Sequence, residues 1–235
     1  MKPVIIFRHA AIEGPGFLAT VLDEYAIPWQ LVKIDEGEPV PDSIAGFSGM
    51  VLMGGPMSVN DDLPWIAPVL SLIRDAIRLD IPVLGHCLGG QLMSKALGAR
   101  ITVNPVKEIG WGEVAVSNNA QAREWFGDLA RFQVFHWHGE TFSLPTGATH
   151  LLASSHCHNQ AYSLGKHLAF QCHIEMTADM VRSWSDVGAQ EIKDNATSRA
   201  VQQPTKMLTA IEVKVAALQA VARPVYEKWI SGLAR

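Results

Sequence analysis

Short apolar runs alternate with stretches of helical periodicity through the first part of the chain. Val4 to Phe7, Trp29 to Ile34, Gly49 to Met53 and Ile81 to Leu84 read as buried strands. Between them, Phe17 to Tyr25 reads as a helix, and Trp65 to Leu79 sets Ile66, Val69, Leu70, Ile73 and Ile77 on one face. Strands and helices in alternation predict a mostly parallel sheet with helices on both sides. After Gly98 the spacing tightens. Arg100–Val103, Gly112–Val116, Arg131–Phe135, Leu151–Ser154, Ala161–Leu164 and His167–Gln171 read as strands with short connections, so antiparallel strands are expected to extend the sheet. From Met176 onward the pattern is helical, with a long segment from Thr205 to Ile230 broken or kinked near Pro224.

The run ending at Leu84 continues as Gly85-His86-Cys87-Leu88-Gly89-Gly90-Gln91 into a helix-like segment, Gln91 to Leu97. That places a thiol at a strand-to-helix corner among glycines that permit unusual φ/ψ. A helix N-terminus beside Cys87 would favour negative charge on its sulfur. A buried cysteine in a glycine-rich turn would leave the same pattern. A nucleophile needs a base and an orienting group, and Phe170-Gln171-Cys172-His173-Ile174-Glu175 offers both. In extended backbone His173 and Glu175 project to the same side, so Glu175 can hold one imidazole nitrogen while the other faces Cys87. Gly54-Gly55 ends a separate strand. If that strand lies beside the elbow strand, its N–H groups could join that of Leu88 as an oxyanion hole.

Composition narrows the field. The 235 residues suffice for one large α/β domain or two small ones, and 48% are hydrophobic. A net charge of −4 argues against nucleic acid as a partner. Three cysteines (Cys87, Cys157, Cys172) are too few for a disulfide framework, which suits a reduced, cytoplasmic protein. Met1-Lys2-Pro3 leads directly into the first strand with no signal pattern, and the apolar stretches are too interrupted for a membrane span. His136-Trp137-His138 and His156-Cys157-His158 invite a metal reading, but their spacing matches no zinc pattern. They read instead as strand residues at a pocket rim, and neither metal nor cofactor is expected. His86 reads as structural and pointing away from the nucleophile, Cys172 as core, and Glu108 as a substrate contact or a buried turn anchor.

The motifs as a set resemble the class I glutamine amidotransferase family with its Cys-His-Glu triad. The likeness is to the stand-alone branch related to the glutaminase domain of GMP synthase. It rests on Glu13-Gly14-Pro15-Gly16, Gly54-Gly55-Pro56, Gly85 to Gln91, Glu108-Ile109-Gly110-Trp111, His138-Gly139-Glu140 and Gln171 to Glu175. Gly90, Cys172 and Ile174 depart from the usual histidine, phenylalanine and proline of those motifs, and no catalytic group is lost. The resemblance implies a flavodoxin-like, three-layer α/β/α fold with a central, mostly parallel sheet. It implies Cys87 as nucleophile, His173 as base and Glu175 as its orienter, with Gly55 and Leu88 as oxyanion donors. Gly54, Gln91, His138, Gly139 and Glu140 fall where the family contacts substrate.

The expected organisation is a catalytic domain over residues 1–190 and a helical extension over 191–235 packed on it. That extension reads as an amphipathic cover for the sheet, or as a face for a homodimer or a partner. The expected activity is hydrolysis of the γ-amide of glutamine, or of a glutaminyl group, through a γ-glutamyl-cysteine thioester. With no phosphate-binding loop in the sequence, acceptor chemistry is expected on a synthetase partner. The alternative is a stand-alone γ-glutamyl peptidase or hydrolase on small γ-glutamyl compounds. A third reading is a non-catalytic binding protein of the same fold.

Overall fold

The computed structural model describes residues 2–234. Parallel strands form one half of its sheet, from the edge inward in the order β2 (Trp29–Lys33), β1 (Val4–Arg8), β3 (Gly49–Leu52), β4 (Val83–His86) and β9 (His167–Phe170). Antiparallel β8 (Ala161–Leu164), β7 (Thr149–Ser154) and β5 (Ile101–Val116) carry the sheet on, and β6 (Arg131–Phe142) and β10 (Ala200–Val201) pair with β5. The result is the expected flavodoxin-like arrangement, a mostly parallel mixed sheet flanked by helices.

Alternation along the strands divides the core in two. Val4 and Ile6 point to one face with Val51 and Leu84, under α1 (Phe17–Glu24), α4 (Ala120–Phe126), α5 (Ala178–Val187) and α8 (Ile211–Ser231). Ile5 and Phe7 point to the other with Met50, Leu52 and Val83, under α2 (Ile66–Arg78) and α3 (Leu88–Ala96). Two-sided burial is why these strands read as unbroken apolar runs.

Several expectations need correction. Helix α3 begins at Leu88, so Gly89 and Gly90 lie in its first turn rather than in a loop. A Cβ on Gly89 would overlap the Leu52 carbonyl, and one on Gly90 would meet that of Phe170 at 2.4 Å. These glycines serve close helix–sheet packing, not turn conformation. The two strands expected around Arg100–Val103 and Gly112–Val116 are one long strand, with an irregularity between Val103 and Glu108 where its pairing with β6 shifts. A helix, α4, occupies the expected short connection after Val116, capped by the Asn119 side chain accepting from the Ala122 N–H at 2.8 Å. The C-terminal helical segment breaks at Ala210, which adopts a left-handed conformation (φ 53°) between α7 (Pro204–Leu208) and α8. Helix α8 runs through Pro224 uninterrupted, with Leu218, Ala222, Val225, Tyr226 and Trp229 buried around it. Proline removes one backbone donor, and packing of that buried stripe outweighs the loss.

Gly89→Ala should lower stability by about 2–3 kcal/mol, since the obstacle is backbone that cannot rotate away. Gly46→Ala, with open space around it, should change stability by less than about 0.5 kcal/mol. Urea unfolding of the two variants checks the contrast.

Candidate active site

Cys87 stands between β4 and α3 with φ 50° and ψ −108°, a positive φ that few residues other than glycine adopt. The strain is held by its surroundings. The Cys87 N–H donates to the Phe170 carbonyl at 2.8 Å, and its carbonyl accepts from the Gln91 N–H at 3.0 Å. The side chain is thereby turned toward the C-terminal edge of the parallel strands, where open α/β sheets build their sites. Its sulfur lies 3.6 Å from Gln171 Nε2 and 3.7 Å from the Trp137 carbonyl.

His173 and Glu175 follow β9 but are set by a neighbour. A single bridge joins His173 to Phe135 of β6, with the His173 N–H donating to the Phe135 carbonyl at 2.8 Å. Nδ1 of His173 donates to Glu175 Oε1 at 2.6 Å, short enough for a charge-assisted bond. Trp184 packs its ring edge-to-face on the imidazole, centroids 4.8 Å apart. Nε2 has no hydrogen-bond partner among the described residues and lies beside Cys87. Burial alone would lower the pKa of His173. The Glu175 carboxylate and the neighbouring Cys87 sulfur outweigh it and hold the pKa well above the ordinary histidine value. Burial would raise Glu175, and the charges of His86 and His173 bring it down instead, to about 2.

Behind this pair lies a support that the sequence reading did not assign. His86 turns into the core, its Nε2 3.2 Å from the Tyr226 hydroxyl of α8 and 3.7 Å from Glu175 Oε2. Its ring stacks on Phe170, and burial pushes its pKa below the ordinary value against the pull of Glu175. His86 is structural, as expected, yet it touches the far oxygen of the orienting carboxylate. No spacing rule links residue 86 to residue 226, so only the fold could reveal this contact.

Gly54 and Gly55 follow β3, which pairs directly with β4 as the oxyanion argument requires. A Cβ on Gly55 would crowd Leu88 and His9, and one on Gly54 would overlap the Glu13 carboxylate and approach His173 Cε1 at 3.3 Å. Among the described residues, neither the Gly55 nor the Leu88 N–H finds an acceptor within the protein. A cleft of about 580 Å³ opens over Cys87, lined also by Gly55, Gln91, His138, Gly139 and Glu140. Gln91 Nε2 donates to Gln171 Oε1 at 3.2 Å, and Glu140 accepts from Ser58 Oγ at 2.9 Å. The residues expected as catalytic, oxyanion or substrate groups therefore lie together, with Gly54, Leu88, His173 and Glu175 adjoining the residues that line the cleft. Gln171, Ser58, Trp184 and Glu13 join them unassigned, although Glu13 and Gln171 lie inside motifs already noted.

Glu108, His136 and His138 are the set among the described residues that could hold a metal ion, with ligand atoms within 4.8 Å of one another. The Glu108 oxygens already accept from Ser154 Oγ at 2.9 Å and Gln160 Nε2 at 2.8 Å, and lie 3.1 Å from His138 Nε2. Of its two sequence readings, Glu108 fits the buried anchor, placed in a strand rather than a turn. Burial lowers the pKa of His136 to about 3.

A thiol in a strand-to-helix corner, a carboxylate-held imidazole and two free N–H groups can together run acyl transfer. Comparison with known proteins agrees in kind. The family model for glutamine amidotransferase class-I matches residues 17–181, and the chain belongs to that family. It is 29% identical over 208 residues to a glutamine amidotransferase-like protein of Salmonella typhimurium, YfeJ, covering 85% of this chain and 86% of that one. It is 35% identical over 118 residues to a GMP synthase (glutamine-hydrolyzing) of Bacillus subtilis, spanning 49% of this chain and 21% of that one. The crystal structure of a glutamine amidotransferase from Methylobacillus flagellatus superposes with a TM-score of 0.97 at 46% identity, covering 100% of this chain and 96% of that one. One from Thermotoga maritima gives 0.87 at 28% identity, covering 97% of each. No helix among the described residues is long and apolar enough to cross a membrane.

Replacing Glu175 by Gln removes the largest influence opposing burial at His173, so the His173 pKa should fall below the ordinary histidine value, as read by NMR titration. In the native pair, Glu175 contributes stability present above about 4.5 and lost as pH falls toward 2. His173 contributes stability present below about 6.5 and lost as pH rises through its raised pKa. In the Glu175→Gln variant the Glu175 contribution should vanish and that of His173 reverse, so Tm should no longer fall on the alkaline side and should instead fall as pH drops below about 6.5.

Proposed function

We propose that this protein hydrolyses the γ-amide of glutamine, or of a glutaminyl group, through a γ-glutamyl thioester on Cys87. The observation that carries the reading is the buried His173–Glu175 pair with Nε2 left free beside the Cys87 sulfur. In this scheme the Cys87 proton already rests on His173 Nε2, and the thiolate bonds to the amide carbon. The carbonyl electrons move onto oxygen, which accepts hydrogen bonds from the Gly55 and Leu88 N–H groups. The imidazolium then gives its proton to the amide nitrogen, the C–N bond breaks, and ammonia leaves. Water attacks the thioester with His173 taking its proton, the C–S bond breaks, and glutamate departs as the thiolate–imidazolium pair is restored. Glu175 keeps the imidazole in one orientation and stabilises its charged form.

Gln91 and the segment His138-Gly139-Glu140 border the cleft on the side of Ser58, where they serve the α-amino and carboxylate groups of the glutamyl part. Gly54 leaves the room that His173 needs. No step requires a metal or cofactor. Relatives named GMP synthase carry the matched portion as about a fifth of their length, 21% in the Bacillus subtilis protein. That supports a synthetase partner as the destination of the ammonia in this protein.

Cys87→Ala should lower ammonia release from glutamine by at least ~10³-fold. The variant should also lose the mass adduct that a γ-electrophilic glutamine analogue leaves on the native protein. Full activity in the variant would end the proposal.

A further inference from the structure

The cleft extends past Cys87 in a direction that glutamine does not need. At about 580 Å³ it falls in the range of sites for ligands well above amino-acid size. Beyond His173 its wall is built from the Ile12-Glu13 loop and the α5–α6 (Ala189–Asp194) corner. Trp184 Nε1 donates to the Ile12 carbonyl at 2.8 Å, and Trp137 Nε1 donates to Glu191 at 2.8 Å. Gly188 has no side chain because the Trp137 ring fills that space. These contacts hold two indoles, 6.1 Å apart and nearly perpendicular, as an aromatic wall next to the imidazole.

Glu13 stands at the inner end of this wall. Its loop is anchored by the Phe17 N–H donating to the Glu175 carbonyl at 2.8 Å, so it moves with the catalytic pair. The carboxylate packs on Gly54 beside His173 Cε1 and has no hydrogen-bond partner among the described residues. The other carboxylates on the cleft wall are engaged, Glu191 with Lys107 and Glu140 with Ser58. Burial raises the pKa of Glu13 to about 7, with His173 pulling it down and Glu175 and Glu191 pushing it up. Glu13 is half-buried and opens onto the cleft, so a cationic donor on a ligand would gain a charge-assisted hydrogen bond there. The donor best placed to do so is on the leaving side of the scissile bond, because His173 delivers its proton there.

We propose that Glu13, with the Trp137–Trp184 wall, forms a leaving-group subsite, and that the substrates are γ-glutamyl amides whose leaving amine carries a second, cationic amino group a short chain away. This rests on the thioester reading above and adds the substrate class to it. Glu13 pairs with the ammonium, the indoles cover the connecting carbons, and the cation holds Glu13 ionised. The chemistry is otherwise unchanged: His173 protonates the departing nitrogen, and a diamine leaves instead of ammonia.

Three substrates decide the matter: glutamine, γ-glutamyl-ethylamide and γ-glutamyl-(2-aminoethyl)amide. The native protein should cleave the aminoethyl amide with a kcat/KM roughly ten-fold or more above the ethylamide, the range of a charged hydrogen bond. Glu13→Gln should bring that ratio to within about two-fold, and Glu13→Asp should restore part of it. If Cys87-dependent hydrolysis of glutamine proceeds while both substituted amides are inert, the subsite is overturned and the thioester chemistry stands. A charge preference that survives Glu13→Gln also overturns it, as does an equal rise in KM for all three substrates, which would place Glu13 on the glutamyl side. Absence of any acyl adduct on Cys87 by intact mass, with all three substrates inert, would instead remove the parent reading.

Discussion

Everything in the site depends on how closely the first turn of α3 lies on the sheet. Gly89 sits over the Leu52 carbonyl, Gly90 over that of Phe170, and Gly85 beneath the Gly89–Gly90 backbone. A helix with ordinary side chains there would stand further off. The Cys87 N–H would then lose the Phe170 carbonyl, and with it the support for a positive φ. One packing contact thus joins β3, β4 and β9, aims the sulfur and points the Leu88 N–H outward.

On that frame the protein buries more charge than a core of this kind usually carries. Glu175, His173 and His86 are all almost fully buried, and such groups persist only where each has a partner. The chain of contacts from Tyr226 through His86, Glu175 and His173 to Cys87 meets that condition nearly throughout. Among the described residues it leaves His86 Nδ1 and Glu175 Oε2 without a hydrogen bond, and it ends in His173 Nε2, also unpartnered, beside the sulfur. Around Glu108 the carboxylate is met by Ser154 and Gln160, whereas both nitrogens of the buried His136 have no partner among the described residues.

What could be read in the sequence followed from periodicity and from local motifs. The parallel strands stood out because burial on both faces leaves unbroken apolar runs, and the helices between them because their stripes are wide. The elbow, the glycine pair and the His173-x-Glu175 spacing are short-range signals, and they pointed to groups that the fold gathers at one edge. The long β5–β6 pair did not show, since the irregularity after Val103 and Pro105 looks like a chain break when no partner strand is in view. The break at Ala210 was hidden because an alanine carries no mark of a left-handed conformation, whereas Pro224 carries a strong mark of a break that packing suppresses. Long-range pairings such as His86 with Tyr226, or Glu13 with Gly54, have no local signature at all.

The placement of α8 gives the reacting centre a reverse side. Tyr226 and His86 meet Glu175 from beneath the sheet tip, away from the opening through which substrate enters. A change confined to that reverse side, such as shortening Tyr226, therefore touches the orienting carboxylate through His86 and no residue that lines the substrate's cleft.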